Sequence, residues 1–316
     1  MDVIIDKIHQ LTAQIRAFEL VSADGTALPP FSAGAHIDVH LKNGLIRQYS
    51  LANASHEQHR YVIGVLQDAH SRGGSACLHR NYVEGDRLEI GQPRNLFAVH
   101  PDTQHAVLFA GGIGITPILS MAYQLQYTGR SFELHYFVRQ HEMVAFYGNL
   151  TQHFADQVHF HIQDQPDTAC EMAEVLQEVA AHRHLYVCGP TGFMEFVMQA
   201  AKQAGWQDQQ LHQEHFAAPV LNNVERNKIF TLEVLGSDQE IIVQPHQTAT
   251  QALIEHGFDV PISCEQGICG TCMTRVVSGE PEHRDAFMTE AEHAANSHFT
   301  PCCSRAKSDR LVIELS

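Results

Sequence analysis

Four cysteines of the 316-residue chain have the spacing of ligands for an iron–sulfur cluster. Cys264, Cys269 and Cys272 form a C-x4-C-x2-C pattern in the segment SCEQGICGTC, and Cys302 lies 30 residues further on. Plant-type [2Fe–2S] clusters are bound by thiolates at this spacing. Two glycines lie between the three cysteines, where the backbone of a tight loop must curl. The segment therefore predicts a [2Fe–2S] site.

The same cysteines have two other interpretations, a structural zinc site and a chance pattern. Zinc sites with four cysteines usually pair two short C-x2-C segments. Here the second pair is the adjacent Cys302 and Cys303, and neighbouring cysteines rarely bind one ion together. We therefore favour the iron–sulfur interpretation. The spacing does not decide which of Cys302 and Cys303 is the fourth ligand.

Two short segments have side chains suited to a flavin. Arg47, Tyr49 and Ser50 end a predicted strand, where an arginine can bind a phosphate, a tyrosine can pack on an isoalloxazine ring and a serine hydroxyl can reach flavin N5. Gly73–Gly74–Ser75 precedes a predicted helix, whose free N–H groups suit a phosphate. The alternatives are a surface arginine beside a core tyrosine, and an ordinary turn with an N-cap.

Two further segments suit a nicotinamide dinucleotide. The glycine-rich Gly111–Pro117, which includes Gly112 and Thr116, follows a predicted strand and precedes a helix, as at a pyrophosphate site. Cys188–Gly189–Pro190 also follows a strand, and the small cysteine side chain there leaves room for a nicotinamide against a flavin. Taken alone, Cys188 is more typical of a buried structural cysteine, and only the order and placement of the motifs together favour the nicotinamide site.

The elements that must position these residues form three groups. Short β-rich segments before residue 101 predict an antiparallel barrel. Strands alternating with helices over 102–224 predict parallel βαβ units of a Rossmann-like fold. A polar linker at 217–228 then leads to a small cysteine-containing domain at 225–316. The helices predicted in the second and third groups are Ile118–Gln126, Thr168–Ala181, Phe193–Ala204 and Ala249–His256.

Composition sets broad limits on the class of protein. A length of 316 residues suggests two or three domains. The formal net charge of −16 argues against nucleic acid or an anionic membrane as partner. No apolar run is long enough for a transmembrane helix and the N-terminus does not resemble a secretory signal, so we expect a cytoplasmic protein with reduced thiols.

The remaining histidines and cysteines are expected to have no metal. The 23 histidines include His159 and His161 at strand spacing and the nearby His182 and His184, but no matching carboxylates accompany them, so we expect surface histidines. Cys77 and Cys170 are expected to be structural.

Taken in order, these motifs resemble the phthalate dioxygenase reductase family over essentially the whole chain. The segments that carry the resemblance are RQYSLAN (47–53), SRGGS (71–75), PRNLF (93–97), AGGIGITPILSMA (110–122), LYVCGP (185–190), EQGICGTC (265–272), EHRDAF (282–287) and PCCSRAKS (301–308). The resemblance implies a flavin-binding barrel, a NAD-binding α/β domain and a C-terminal ferredoxin domain of the β-grasp type. It also selects Cys302 over Cys303 as the fourth ligand.

The resemblance further implies FMN and NADH as cofactors. The residues that it assigns to them are Arg47, Tyr49, Ser50, Gly73, Gly74, Ser75, Gly112, Thr116, Cys188, Gly189, Pro190 and Phe216, with Ser50 and Cys188 at the reacting atoms. One departure concerns the nucleotide: some relatives have an acid after the second α/β strand, whereas this chain has Arg139–Gln140. An acid there binds the ribose of NADH and an arginine suits the 2′-phosphate of NADPH, so the preference for NADH is less firmly implied.

By resemblance, electrons pass from NADH through FMN and the [2Fe–2S] cluster to a Rieske-type terminal oxygenase. Vanillate or a related aromatic acid is the substrate that the resemblance favours for that partner. Three alternatives stay open: an FAD-containing fusion serving a diiron hydroxylase, a reductase for a quaternary-amine Rieske monooxygenase, and a redox sensor whose flavin site is vestigial.

Overall fold

A computed structural model describes residues 1–68, 73–216 and 227–315. The chain forms two compact units, Met1–Glu214 and His215–Ser316. The predicted boundary at 101/102 falls between the two sheets of the first unit, and the one at 224/225 lies outside the described residues. The division into three domains therefore stays a prediction.

The first unit begins with a six-stranded antiparallel sheet in the order β4-β3-β6-β1-β2-β5. Its strands are β1 (Asp2–Gln10), β2 (Ile15–Ser22), β3 (His36–His40), β4 (Ile46–Ser50), β5 (Tyr61–Leu66) and β6 (Arg87–Ile90). Helix α1 (Gly74–Asn81) lies between β5 and β6. A bridge between Leu51 and Ile63 joins the two ends of the sheet and closes the expected barrel. Inward residues such as Phe18, Ile37 and Tyr61 are fully buried, as alternation along strands predicts.

A five-stranded parallel sheet in the order β11-β10-β7-β8-β9 follows in the same unit. Its strands are β7 (His105–Gly111), β8 (Ser131–Val138), β9 (Val158–Ile162), β10 (Arg183–Cys188) and β11 (Leu211–Glu214). The helices are α2 (Ile115–Tyr127), α3 (Tyr147–His153), α4 (Met172–Leu176) and α5 (Thr191–Gln203). Leu108 of β7 shares one buried cluster with Ile118 of α2, whereas Phe109 shares another with Val197 of α5. Both faces of the sheet are therefore covered.

The helix predicted at Thr168–Ala181 is wrong in extent, because only α4 is α-helical there. The Thr168 hydroxyl instead accepts a hydrogen bond from the Ile162 N–H at 2.8 Å, which holds it in a turn. The Leu176 carbonyl is bonded to the Trp206 indole N–H at 3.0 Å. The Ala180 carbonyl is bonded to the Gln210 amide at 2.7 Å. Tertiary hydrogen bonds thus occupy carbonyls that a longer helix would use.

The second unit contains a five-stranded mixed sheet in the order β13-β12-β18-β14-β16. Its elements are β12 (Phe230–Val234), β13 (Glu240–Val243), α6 (Ala249–Glu255), β14 (Thr274–Ser278), β15 (Pro281–Glu282), α7 (Glu290–Ala295), β16 (His298–Phe299), β17 (Arg305–Ala306) and β18 (Arg310–Glu314). Strands β12 and β13 form a hairpin, and β18 pairs in parallel with β12. A capping box at Thr248 and Gln251 starts α6. The predicted linker at 217–228 lies almost wholly outside the described residues.

Within the three ranges that the structure describes, no helix has the length and apolar character needed to cross a membrane.

Candidate functional site

The four predicted cluster ligands come together in the second unit. Cys264, Cys269 and Cys272 lie in the loop between α6 and β14, and Cys302 follows β16. All four are buried, with exposures of 3%, 8%, 3% and 6% in chain order. The Cys264 thiol is hydrogen-bonded to the thiols of Cys269 and Cys302. The Cys272 thiol is hydrogen-bonded to that of Cys302. Four converging thiols that are paired in this way fit two irons.

Two glycines allow the cysteine loop its tight turns. Gly267 and Gly270 have φ angles of +73° and +67°, a region that favours glycine. A Cβ on Gly267 would lie 2.4 Å from the Cys303 sulfur, and one on Gly270 would lie 2.4 Å from the Phe287 ring. Both positions therefore require glycine, because the φ angle is positive and because a Cβ would clash with a neighbouring side chain.

Backbone N–H groups point at the sulfurs. The Gln266 N–H donates to Cys264 Sγ at 3.3 Å and the Thr271 N–H to Cys269 Sγ at 3.5 Å. Hydrogen bonds from the thiols of Cys269 and Cys302, together with backbone donors at Gln266 and Ile268, lower the pKa of Cys264. Such donors stabilise thiolate and are the groups that tune a cluster's potential.

Cys303 has a different environment from Cys302. Its thiol donates to the Thr300 carbonyl at 3.8 Å and lies 3.3 Å from the Thr300 hydroxyl. Cys302 instead adjoins the thiols of Cys264 and Cys272. These contacts support Cys302 as the fourth ligand, which stays a prediction.

Asp285 lies behind the loop and belongs to the EHRDAF segment, but sequence reasoning assigned it no role. Its side chain has no exposed surface and accepts from the Met288 N–H at 2.8 Å. The Ser304 hydroxyl donates to its other oxygen at 3.5 Å. Ser304 is two residues from Cys302, so this carboxylate holds the segment that carries the fourth cysteine.

In the first unit, Arg47 and the start of α1 form a candidate anion site. A Cβ on Gly74 would lie 2.6 Å from Arg47 Cγ and 2.8 Å from its Nε, so the arginine crosses the helix start where Gly74 has no side chain. Gly73 caps α1 with a φ of 98° and provides no side-chain cap. A helix start of this kind, beside an arginine, suits an anion. Ser75 is close by and accepts from the Asp68 N–H at 3.3 Å.

Tyr49 lies two residues from Arg47 on β4, with its ring half-buried against the barrel core. Burial raises the pKa of its phenol well above the ordinary value. An uncharged aromatic face beside a phosphate site fits the ring system and phosphate of a flavin.

Glu214 connects the two residues predicted to lie at the reacting atoms. The Ser50 hydroxyl, at the end of β4, donates to Glu214 Oε2 at 3.3 Å. Cys188, at the end of β10, is opposite Glu214 in the parallel pairing with β11. Burial raises the pKa of Glu214 to about 8, and the bond from Ser50 opposes that rise. Burial, with the nearby Glu214 carboxylate, also raises the pKa of Cys188, which is fully buried.

Sequence reasoning missed Glu214, which lies two residues before the predicted Phe216. The available signal was an acidic residue at the carboxyl end of a strand, where ligands of open α/β sheets bind. Finding it needed the register of β11 against β10, which no local pattern gives.

Glycines let the backbones approach closely at the crevice between the ends of β7 and β10. A Cβ on Gly114 would lie 2.2 Å from the Cys188 carbonyl oxygen, and one on Gly189 would lie 2.9 Å from Gly111 Cα. Gly112 has a φ of +52° and open space where a side chain would be. Ligands of open α/β sheets bind outside such carboxyl ends of parallel strands, so Gly112 would let a dinucleotide lie close to the backbone there.

The other predicted dinucleotide residues differ in accessibility. Pro190 is exposed at the N-cap of α5. Thr116 is 1% exposed, and its hydroxyl donates to the Ile113 carbonyl at 3.1 Å, so its side chain is occupied within the fold. Phe216 is 37% exposed at the start of the second unit, and no described contact places it in the pocket. The roles of all three stay predictions.

The expectation of surface histidines is wrong for two of the four named positions. His159 and His182 are exposed, but His184 is 3% exposed and His161 is half-buried. A carboxylate also accompanies these histidines. His161 Nε2 lies 2.9 Å from His135 Nδ1, and His135 Nε2 lies 3.2 Å from the Glu133 carboxylate. The partners come from different strands, which explains why local spacing did not reveal them.

Comparisons with known proteins agree with this geometry. Residues 232–307 match the family of 2Fe-2S iron-sulfur cluster binding domains, and residues 92–211 match the N-terminal domain of dimethylamine monooxygenase subunit DmmA-like proteins. The vanillate O-demethylase oxidoreductase of Acinetobacter baylyi is 71% identical over 316 residues, which is 100% of this chain and 99% of that protein. The chain belongs to the family of the vanillate O-demethylase oxidoreductases.

One further relative and one solved structure are also similar to this chain over its whole length. The vanillate O-demethylase oxidoreductase of Pseudomonas sp. strain HR199 is 50% identical, with both chains fully covered. The solved structure of phthalate dioxygenase reductase, described as a modular structure for electron transfer from pyridine nucleotides to [2Fe–2S], is 37% identical. It superimposes with a TM-score of 0.78 and covers 100% of this chain and 98% of that one.

The family confirms several expectations. This member is an oxidoreductase that uses NADH, a flavin and a [2Fe–2S] cluster, and the predicted fold class is correct. Electrons from NADH reach the cluster through the flavin.

Proposed function

We propose that this oxidoreductase is the reductase component of a Rieske-type oxygenase that demethylates vanillate or a related methoxylated aromatic acid. The observation that carries the proposal is the 71% identity over the whole chain with a protein of that name. The matched region extends over both units of the chain.

A flavin, when bound, accepts a hydride from NADH and releases electrons singly, which a one-electron cluster requires. We propose FMN, with its phosphate between Arg47 and the start of α1 and its ring on Tyr49. The described anion site matches a single terminal phosphate at a helix N-terminus. Acid release of the flavin, followed by chromatography against FMN and FAD standards, tests this choice; recovery of FAD would instead support the fusion that serves a diiron hydroxylase.

Ser50 and Glu214 supply a proton site beside the reacting atoms. With a pKa of about 8, the Glu214 carboxyl group holds a proton in most molecules at neutral pH and is ionised in the rest. In its ionised form it would take the Ser50 hydroxyl proton along the 3.3 Å hydrogen bond, while Ser50 Oγ takes the proton that a reduced flavin releases as its electrons leave. Cys188 keeps the neighbouring position small, uncharged and free of water, because its thiol is fully buried and holds its proton.

The direction of electron flow follows from the redox potentials of the centres. Plant-type clusters lie near about −400 mV and Rieske centres at about −150 mV or above. At ~59 mV per tenfold change for one electron, transfer to a Rieske acceptor is favoured by roughly four orders of magnitude. The protein therefore needs only to position the centres and exclude water.

The test begins by identifying the terminal oxygenase that accepts electrons from this protein, starting with any oxygenase that a neighbouring reading frame encodes, and then reconstitutes the two purified proteins. The proposal predicts that vanillate, together with both proteins, stimulates NADH oxidation and releases formaldehyde. A quaternary amine that replaced vanillate as the only stimulating substrate would contradict the substrate class and favour the quaternary-amine monooxygenase alternative. A partner lacking a Rieske cluster would contradict the partner class.

The same proposal places the chain in a reducing compartment such as the cytoplasm. All eight cysteines are free thiols, and four of them are the cluster ligands. An oxidising compartment would put those ligands at risk of disulfide formation.

A further inference from the structure

A second group of metal-ligating side chains lies in the first unit, on the sheet face that α4 and α5 cover. His135 is on β8, His161 is on β9, and Cys170 comes two residues before α4. One donor atom from each of these residues lies within 4.8 Å of the other two. His135 is 4% exposed, and its ring stacks on that of Phe109 at 5.2 Å. The group is therefore built into the α/β core.

The hydrogen bonds of the two histidines orient them toward a shared point. His135 Nε2 bonds to Glu133 Oε2 at 3.2 Å, and His161 Nδ1 bonds to the Thr168 carbonyl at 2.7 Å. Carboxylate and carbonyl oxygens only accept, so these outer nitrogens carry the ring hydrogens. The inner nitrogens, His135 Nδ1 and His161 Nε2, then lie 2.9 Å apart and share one proton in a hydrogen bond. A cation that displaced this proton would be bound by both nitrogens, which would move slightly apart.

Outer partners of this kind are typical of metal-binding histidines, in which the second ring nitrogen donates to a carboxylate or a backbone carbonyl. Glu133 is itself fixed, because Arg183 donates to it at 3.0 Å and His105 lies 3.3 Å away. The orientation of the His135 ring is thus determined by a charged network before any ligand binds.

Sulfur completes the donor set. The Cys170 thiol points at Met172 Sδ at 3.6 Å, so a thiol and a thioether lie side by side at the start of α4. Imidazole with thiolate and thioether selects soft or borderline cations such as Zn²⁺ and Cu⁺ over Mg²⁺ or Ca²⁺.

We propose that His135, His161 and Cys170 form a binding site for one d¹⁰ transition-metal cation, separate from the iron–sulfur cluster, with Met172 as a weaker fourth donor. The cation would join β8 and β9 to the segment before α4. Because it would bind the folded chain only, it would also stabilise the first unit.

The test uses the intact flavin- and cluster-containing protein. It is dialysed against buffered Zn²⁺ or, under reductant, against Cu⁺, and retained metal is counted beside iron and labile sulfide. We expect one Zn²⁺ or Cu⁺ per chain with no loss of iron. For Zn²⁺, X-ray absorption at the zinc edge should show a sulfur at about 2.3 Å and nitrogens at about 2.0–2.1 Å.

Variants locate the site. Cys170→Ser and His161→Gln should each weaken retention at least tenfold, since even loss of an outer partner costs about 10–100-fold. His159→Gln is the matched control, because His159 is exposed on the same strand and stacks on His135 without belonging to the group. Its metal content should equal that of the unmodified protein.

Two results would overturn the site: retention of neither cation by the unmodified protein, or retention that is unchanged in Cys170→Ser. Bound flavin and its reduction by NADH, measured in each variant, show that the first unit is folded. If a variant loses the metal but keeps its flavin and the reduction of that flavin by NADH, the loss is due to the missing ligand side chain.

Discussion

The cluster loop and the flavin pocket differ in how the chain assembles them. Three of the four predicted cluster sulfurs come from Cys264–Cys272, and the turns between them are set by local glycines. The pocket instead draws on the ends of β4, β10 and β11 and on the start of α1, from two different sheets. The loop is a local device within one small unit, whereas the pocket exists only when the barrel and the parallel sheet have both folded.

The difference has a functional consequence. Damage to the loop should remove one electron carrier and leave the other working, because the first unit has its own cores. Damage in the pocket should affect cofactor binding, catalysis and stability together. The variants below separate these outcomes.

Cys272→Ser should have the largest effect. Loss of a cluster ligand should abolish reduction of cytochrome c or of the oxygenase, while NADH still reduces the flavin at close to the normal rate. Stopped-flow absorbance and steady-state assays measure the two steps separately. Cys303→Ser is the control and should keep the cluster. Full oxygenase coupling in Cys272→Ser would contradict the proposed electron order.

Glu214→Gln should slow turnover with cytochrome c by about a hundredfold, the lower end of the usual contribution from proton transfer. The unmodified protein should show a change in rate near pH 8, the pKa that burial gives Glu214, and the variant should lack it. Rates measured between about pH 6 and pH 9 would reveal this. Glu89→Gln, at an exposed carboxylate on β6, should change nothing. An identical pH profile in Glu214→Gln would remove the proton role.

Arg47→Ala should weaken flavin binding about 10–100-fold, since a hydrogen bond to a charged group contributes about 1.5–3 kcal/mol. Flavin content after gel filtration and titration of the apoprotein measure the loss. Arg80→Ala, exposed at the other end of α1, is the matched control. Unchanged flavin content in Arg47→Ala would show that Arg47 does not hold the phosphate.

Gly114→Ala should destabilise the first unit by about 1–3 kcal/mol, because the new Cβ would meet the Cys188 carbonyl oxygen at 2.2 Å. Thermal unfolding should therefore begin several degrees lower, by about 2–4 °C per kcal/mol. Gly192→Ala in α5 meets nothing within 4 Å and should be neutral or slightly stabilising. Equal melting temperatures for the two variants would mean that the crevice is less tightly packed than described.

The smallest effect concerns stability against pH. The pKa of Glu214 is raised from 4.5 to about 8 in the folded chain, so the unfolded chain ionises more readily. This group therefore destabilises the fold progressively as pH rises from 4.5 to about 8. The melting temperature of Glu214→Gln, relative to that of the unmodified protein, should increase over that range. A constant difference would contradict the raised pKa.

The contrast between the local cysteine loop and the long-range flavin pocket also explains which residues could be predicted from the sequence. Cys264, Cys269 and Cys272 carry their geometry in their spacing, and Arg47 with Gly74 followed from a strand end and a helix start. Glu214 could not be predicted, because its partners Ser50 and Cys188 reach it only through barrel closure and the register of β11. His161 was assigned to the surface for the same reason: its partners are His135 on β8 and the Thr168 carbonyl. Long-range pairing decides such sites.

The central claim is that the flavin of the first unit and the cluster of the second are filled in series by NADH. Anaerobic titration of the purified protein with NADH, followed by visible absorbance and electron paramagnetic resonance, tests this most directly. The account predicts bleaching of the flavin band together with the signal of a reduced [2Fe–2S] cluster. Bleaching of the flavin alone, in protein that contains zinc in place of iron and labile sulfide, would contradict it.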